Sequence, residues 1–243
     1  MRIRPLNKAL VPSVGTAQYH RERNGQKKMR LYIIRHADPD YENDTIIEYG
    51  KKQADMLAMR MKEIMPDIIY SSPRGRAIAT AKPTCELLGM DYTIEEWATE
   101  KMEYMVSPDY EDEEVMRSSW EQSLADGIYR YKDFAKEDRK EHIVGMIDSS
   151  DEFLLRHGYK REGLLYKTIN PNQEKIAVFC HGGFGGAWIS HLLSLPPAMG
   201  WLHFSLHTTS VTEFAFANNE NGITFPRCMR LGDVSHLSGL TRD

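Results

Sequence analysis

From residue 29 onward apolar residues fall in short blocks, and the spacing inside each block predicts its element. Leu31-Tyr32-Ile33-Ile34 is an unbroken apolar run, the pattern of a parallel strand covered on both faces. Between Ile47 and Met65 the period becomes helical, with Ala54, Leu57, Ala58, Met61 and Ile64 on one face and Pro66 as the stop. Ile68-Ile69-Tyr70 predicts a second strand. Ser71-Ser72-Pro73 then opens a helix from about Arg74 to Leu88, ended by Gly89, which Pro83 should kink or shift. Tyr92-Thr93-Ile94 predicts a third short strand, and Ile176-Ala177-Val178-Phe179-Cys180 is the strongest strand pattern in the chain. A helix over 183–193 follows it, closed off by Pro196-Pro197. Two last strands are expected near 210–217 and 224–231, joined as a hairpin by Asn-Asn-Glu-Asn-Gly at 218–222.

Strand–helix alternation of this kind predicts an α/β fold, a three-layer α/β/α sandwich around a mostly parallel central sheet. Residues 29–243 read as a single domain with a charged helical insert near 103–170. In that insert, Glu111-Asp112-Glu113-Glu114 should open one helix, and a second should run from about Ile143 to His157. Residues 1–28 read as a peripheral extension: Arg2, Arg4, Lys8, Arg21, Arg23, Lys27 and Lys28 face one acid, Glu22, with no sustained apolar period. The methionines, with Met56, Met59, Met61 and Met65 on one helix, read as core filler.

At 243 residues and 41% hydrophobic, the chain has enough apolar mass for a substantial core, which excludes wholesale disorder. A net charge of −4 argues against a dedicated nucleic-acid or membrane-surface binder. Cys85, Cys180 and Cys228 are far apart and odd in number, so a reduced, cytoplasmic compartment is expected. No run of about 18 apolar residues exists from which to build a membrane span.

Chemistry is expected at the carboxyl ends of the strands, where sites form in such sheets. The first strand ends in Arg35-His36-Ala37-Asp38 and the later one in Cys180-His181-Gly182-Gly183, while the second leads into Ser72-Pro73-Arg74-Gly75-Arg76. Three strands therefore deliver arginines and histidines toward one edge. Guanidinium forks match phosphate oxygens, and helix N-termini add backbone donors. One imidazole can attack phosphorus and hold the phosphoryl group, and a second, protonated, can stabilise the transition state. Zinc is the competing chemistry for two histidines, but it wants a third ligand, and flanking arginines repel it. His191 and His203 read as packing or surface residues, and Cys180 as a buried strand thiol.

The same residues resemble the histidine phosphatase superfamily, also called phosphoglycerate-mutase-like. Arg35-His36-Ala37 is similar to its RHG motif, and Ile47-Glu48-Tyr49-Gly50-Lys51-Lys52-Gln53-Ala54 to its LTxxGxxQA segment. Ser71-Ser72-Pro73-Arg74-Gly75-Arg76-Ala77 resembles SSPLxRA, Val178-Phe179-Cys180-His181-Gly182-Gly183 resembles VxHGG, and Ser210-Val211-Thr212 lies in a segment like the family's C-terminal strand. The motifs stand in family order and cover most of 29–231. The resemblance implies a phosphoglycerate mutase-like fold and catalysis without metal or other cofactor. It makes His36 the nucleophile, Arg35 and Arg76 the phosphate clamps, His181 the second pocket histidine and Gly182 a backbone donor beside it. Trp97-Ala98-Thr99-Glu100 has the form that carries the family acid, so Glu100 is the expected general acid, with Glu95, Glu96 and Glu103 as competitors. Arg74 stands where the family is usually apolar and reads as a solvated charge.

Two departures bear on activity. Asp38-Pro39-Asp40-Tyr41 replaces the Ser/Thr-Glu-Trp-Asn stretch of the mutases, and no Glu-Arg-His-Tyr-Gly segment follows Glu100. Both favour a metal-independent phosphomonoester hydrolase acting on a small-molecule substrate through phosphohistidine. A phosphoryl mutase on the same pocket is the alternative, and a non-catalytic phospho-ligand or protein-binding module the further one. The insert, with Tyr104, Tyr110, Trp120, Tyr129 and Tyr131, is expected to roof the pocket. Oligomeric state and the individual phosphomonoester are not legible in the sequence.

Overall fold

In the first strand alternate residues face two different cores. β1 (Lys28–Arg35) sends Met29, Leu31 and Ile33 to one side of a sheet and Tyr32 and Ile34 to the other. This period-two division is why its apolar run is continuous. The computed structural model to which β1 belongs describes residues 28–101, 137–195, 200–201, 203–217 and 221–241. Lys28, the last residue of the expected 1–28 extension, instead opens β1, while residues 1–27, the acidic helix at 111–114, the insert aromatics, Glu103 and Pro196-Pro197 lie outside the described residues.

After β1 come a two-stranded ladder of β2 (Pro39–Asp40) and β3 (Thr45–Ile46), helix α1 (Glu48–Ile64), β4 (Ile68–Ser71) and α2 (Gly75–Leu88). Next are β5 (Thr93–Ile94), a 3-10 turn at Glu96–Ala98, α3 (Glu137–Arg156), β6 (Tyr159–Glu162) and β7 (Leu165–Thr168). The chain continues through β8 (Lys175–Cys180), α4 (Gly182–Leu192), β9 (Val211–Ala217), β10 (Ile223–Thr224), β11 (Pro226–Asp233) and a 3-10 turn at Ser235–Leu237. The main sheet has the order β11-β9-β1-β8-β4-β5. β1, β8, β4 and β5 run parallel, and β9 is antiparallel to both neighbours. Leu57 and Met61 of α1 and Ala81 and Cys85 of α2 cover one face. Met146 and Phe153 of α3 with Phe184 and Trp188 of α4 cover the other. The expected three layers are therefore present.

Several expectations are corrected. The insert near 103–170 is not wholly helical: its described part adds the hairpin β6–β7, which pairs with β10 in a separate antiparallel sheet. The last strand expected at 224–231 divides accordingly, with β10 joining that sheet and β11 returning to the edge beside β9. Pro83 lies inside α2 without moving its start, and Gly89 takes the left-handed conformation (φ 64°) that ends it. Of the four methionines expected on one helix, three lie in α1 and Met65 caps its end; only Met61 is buried, and Met59 and Met65 are exposed.

Candidate active site

Register brings the two histidines together. β1 and β8 are parallel with Arg35 opposite Cys180, so the next residues, His36 and His181, leave the sheet side by side. The His36 backbone N–H donates to the Cys180 carbonyl at 2.9 Å. The two rings lie 5.2 Å apart between centroids, at 62°. On the other side of β8, Ser71 of β4 stands opposite Phe179, and the Ser72 N–H donates to the Phe179 carbonyl at 2.8 Å. That places the Ser72 hydroxyl 2.7 Å from His181 Nε2.

Hydrogen bonding assigns the His36 tautomer. Its Nδ1 lies 2.7 Å from the Ala37 carbonyl, which can only accept, so the proton sits on Nδ1. Nε2 keeps its lone pair and is buried without a partner. Burial, followed by the Arg35 and Arg76 charges, pushes the His36 pKa down to about 4 against the lift of that hydrogen bond. His181 is pushed down to about 2, first by burial and then by His36, Arg76, Arg74 and Arg35. Both rings are neutral at pH 7. Low dielectric and the surrounding cations thus oppose, in the resting pocket, the protonation expected of the second imidazole at the transition state.

Two arginines flank the rings. Arg35 donates through Nη1 to the Leu206 carbonyl, and its Nε is buried without a partner. A Cβ at Gly182 would lie 3.1 Å from that Nε, so the missing side chain lets the first turn of α4 approach the guanidinium. Arg76 binds Asp44 at 2.8 Å through Nη1, stands 3.8 Å from Glu100 through Nη2, and also has a buried, unpartnered Nε. Glu100 is 7% exposed and accepts from the Gly183 N–H at 2.7 Å, at the amino end of α4.

Of the competing acids, Glu95 is held by Arg156 and Trp97 at 2.7 Å each, and Glu96 is exposed. Arg74 is exposed, as expected, and its Nε donates to the Thr99 hydroxyl at 3.3 Å. One ligand-type atom each of His36, Glu100 and His181 falls within 4.8 Å of the others, so the third zinc-type ligand absent from the sequence argument exists in space. Arg76 beside Glu100 and Arg35 against the same helix turn oppose a cation there. Four unpartnered nitrogens, His36 Nε2, His181 Nδ1, Arg35 Nε and Arg76 Nε, suit an anion instead.

A cavity of about 340 Å³ opens beside Arg35, Glu100 and the first turn of α4, bordered also by Tyr41, Trp201, His203 and Phe204. Among the described residues its wall is the segment after α4, and the insert aromatics expected to roof the pocket lie outside them. His203 is a pocket-lining residue that sequence reasoning set aside, and Trp201 is fixed there by donating to the Gly183 carbonyl at 2.8 Å. Asp44 and the Ser72 contact with His181 were also missed. Ser72 lay inside a quoted motif, whereas nothing local marks Asp44.

Residues 31–227 match the family model of the histidine phosphatase superfamily (branch 1). Phosphoserine phosphatase 1 of Hydrogenobacter thermophilus is 28% identical over 139 residues, covering 47% of this chain and 66% of that protein. A second protein of that bacterium is 36% identical over 76 residues, 28% of this chain and 37% of its own length. The chain thus spans less than two thirds of either relative. A crystal structure of a phosphoserine phosphatase from Entamoeba histolytica, in complex with 3-phosphoglyceric acid, superposes with a TM-score of 0.56 at 22% identity. The superposition covers 86% of this chain and 99% of that one, and the likeness is one of fold.

Proposed function

The chain belongs to the histidine phosphatase superfamily, and from that membership we propose that it is a metal-independent phosphomonoester hydrolase working through phosphohistidine. The observation that carries the proposal is the unpartnered His36 Nε2, a buried neutral nucleophile among three further unpartnered nitrogens. Nε2 attacks phosphorus in line, and the phosphorus–ester oxygen bond breaks with its electron pair on the leaving oxygen. Arg35 and Arg76 carry the charge of the non-bridging oxygens. A Ser72 hydroxyl donating to His181 Nε2 keeps the proton of neutral His181 on Nδ1, as a donor to the same oxygens. Gly182 adds a backbone N–H.

Glu100 protonates the leaving oxygen and then takes a proton from the water that attacks phosphohistidine. That attack returns inorganic phosphate and neutral His36. A carboxylate can serve both half-reactions because its proton has left with the first product. The relatives' phosphoserine phosphatase names support a small-molecule phosphomonoester as substrate. Cys85, Cys180 and Cys228 are all unpaired, which supports a reducing compartment such as the cytoplasm. No helix among the described residues is long and apolar enough to cross a membrane.

The test is hydrolysis of p-nitrophenyl phosphate with chelator present, by the wild type and His36→Ala. Wild-type turnover, its loss in the variant, and acid-labile label trapped on His36 from a labelled phosphoester are expected. Undiminished turnover by His36→Ala would sink the reading.

A further inference from the structure

The β2–β3 hairpin places an acid on the far side of a clamping arginine. Asp44 accepts from Arg76 Nη1 at 2.8 Å through one carboxylate oxygen and from the Gly75 N–H at 2.9 Å through the other. Tyr41 of the same hairpin lays its ring 5.4 Å from the Arg76 guanidinium carbon. The approach is built into the backbone. Asp44 is left-handed (φ 46°), a conformation that non-glycine residues adopt at a cost and that concentrates at functional sites. A Cβ at Gly75 would lie 2.0 Å from the Asp44 carbonyl oxygen, and one at Gly50 would lie 2.4 Å from the Asp38 carbonyl oxygen. Both ends of the 38–44 segment therefore rest on glycines.

A guanidinium offers a fork to an oxyanion along either its Nη1/Nη2 end or its Nε/Nη2 side. With Nη1 held by Asp44, the side edge remains. Its Nε is buried and unpartnered, and its Nη2 stands 3.8 Å from Glu100. We infer that Asp44 is a positioning residue, which acts through Arg76 by turning the Nε/Nη2 edge toward the phosphoryl group on its path to His36. This inference rests on the hydrolase reading for its reaction and on Arg76 alone for its geometry.

The experiment is a double-mutant cycle of Asp44→Ala and Arg76→Ala. Orthovanadate affinity is read by titration calorimetry, and kcat and KM on p-nitrophenyl phosphate are read in parallel. In the wild-type background Asp44→Ala should weaken orthovanadate binding and lower kcat/KM by about tenfold each. In the Arg76→Ala background the same change should move either quantity by less than about twofold. An equal loss in both backgrounds overturns the inference, since Asp44 would then support only the hairpin. Tighter orthovanadate binding by Asp44→Ala also overturns it, because the carboxylate would then act merely as an opposing charge. Asp44→Asn has one acceptor for two donors and gives the same cycle if the alanine variant does not fold. A wild type that binds orthovanadate without hydrolysing the ester sinks the hydrolase reading and leaves the cycle decisive for Asp44. A wild type that binds no orthovanadate removes both.

Discussion

Four of the described histidines are buried, two at the carboxyl edge of the sheet and two where α3 packs on the fold. His157 has Glu174 at 2.9 Å on Nδ1 and Tyr70 at 3.2 Å on Nε2. His191, in the last turn of α4, has Asp151 at 2.9 Å. Each of these rings is tied to a carboxylate, whereas among the described residues the only carboxylate grouped with His36 and His181 is that of Glu100, itself claimed by Gly183 and Arg76. Burial alone thus does not mark a reactive histidine. An unpartnered buried nitrogen costs on the order of 1–3 kcal/mol, and the edge with His36 and His181 carries four of them together. Such a concentration is physically reasonable where a ligand completes the hydrogen bonds. In the α3 region each buried ring instead meets a carboxylate of the protein.

The comparison breaks most visibly in catalysis. Glu100→Gln should lower kcat/KM by about a hundredfold or more on an alkyl phosphomonoester such as β-glycerophosphate, whose leaving alkoxide requires a proton. The loss should be much smaller on p-nitrophenyl phosphate, whose phenolate leaves unaided, so steady-state rates on the two esters check the assignment directly. Arg35→Ala should cost about 3 kcal/mol of barrier, on the order of a hundredfold in kcat/KM, on both esters alike. A loss confined to the alkyl ester would transfer the acid-assisting role from Glu100 to Arg35.

These site residues were legible because they sit at strand ends. Arg35, His36 and His181 follow apolar runs, and Arg76 opens a helix after one, so the sheet order alone carries them to one edge. Asp44, Trp201 and His203 were not legible, because what each touches is set by tertiary approach: Asp44 meets Arg76 across a loop, and Trp201 meets Gly183 across a helix end. The same division holds for the fold. Strands covered on both faces announce themselves by composition. β6 and β7 are four residues each, with three charged residues in β6 and one in β7, and with Tyr159 and Tyr166 as their fully buried anchors. Their local mark is the left-handed Gly163 in the turn between them, too little to tell a hairpin from an irregular insert.

Acid sharpens the contrast through stability. An unfolded histidine titrates near 6.5, whereas folded His36 stays neutral down to about 4 and His181 to about 2. Between pH 6.5 and 4 the unfolded chain therefore binds more protons, and stability falls as pH falls through that window. Both contributions are fully present above about pH 6.5. Melting temperatures measured from pH 7 to pH 4 should drop, and His181→Asn should flatten the curve. Orthovanadate should offset part of the drop in the wild type, because it binds only the folded chain. A wild-type curve unchanged by His181→Asn would mean that other groups govern the acid limb.

The smallest effect belongs to the region where buried histidines meet carboxylates. Asp151 accepts from the buried His191 ring, and burial holds that ring's pKa below its ordinary value despite the carboxylate, so the contact at pH 7 is a neutral imidazole N–H donating to a charged acceptor. Asp151→Asn keeps an acceptor at the same reach and removes only the charge. It should lower stability by about 1 kcal/mol, a melting shift of roughly 2–4 °C in a chain of this size. kcat/KM should stay within about twofold of the wild type, because neither Asp151 nor His191 lines the cavity beside Arg35 and Glu100 or bonds to His36 or His181. Thermal melting beside ester kinetics reads both quantities from one preparation. A tenfold fall in kcat/KM with an unchanged melting temperature would mean that the α3–α4 contact transmits to His181 at the other end of the helix, and the two histidine pairs would then have to be treated as one coupled system.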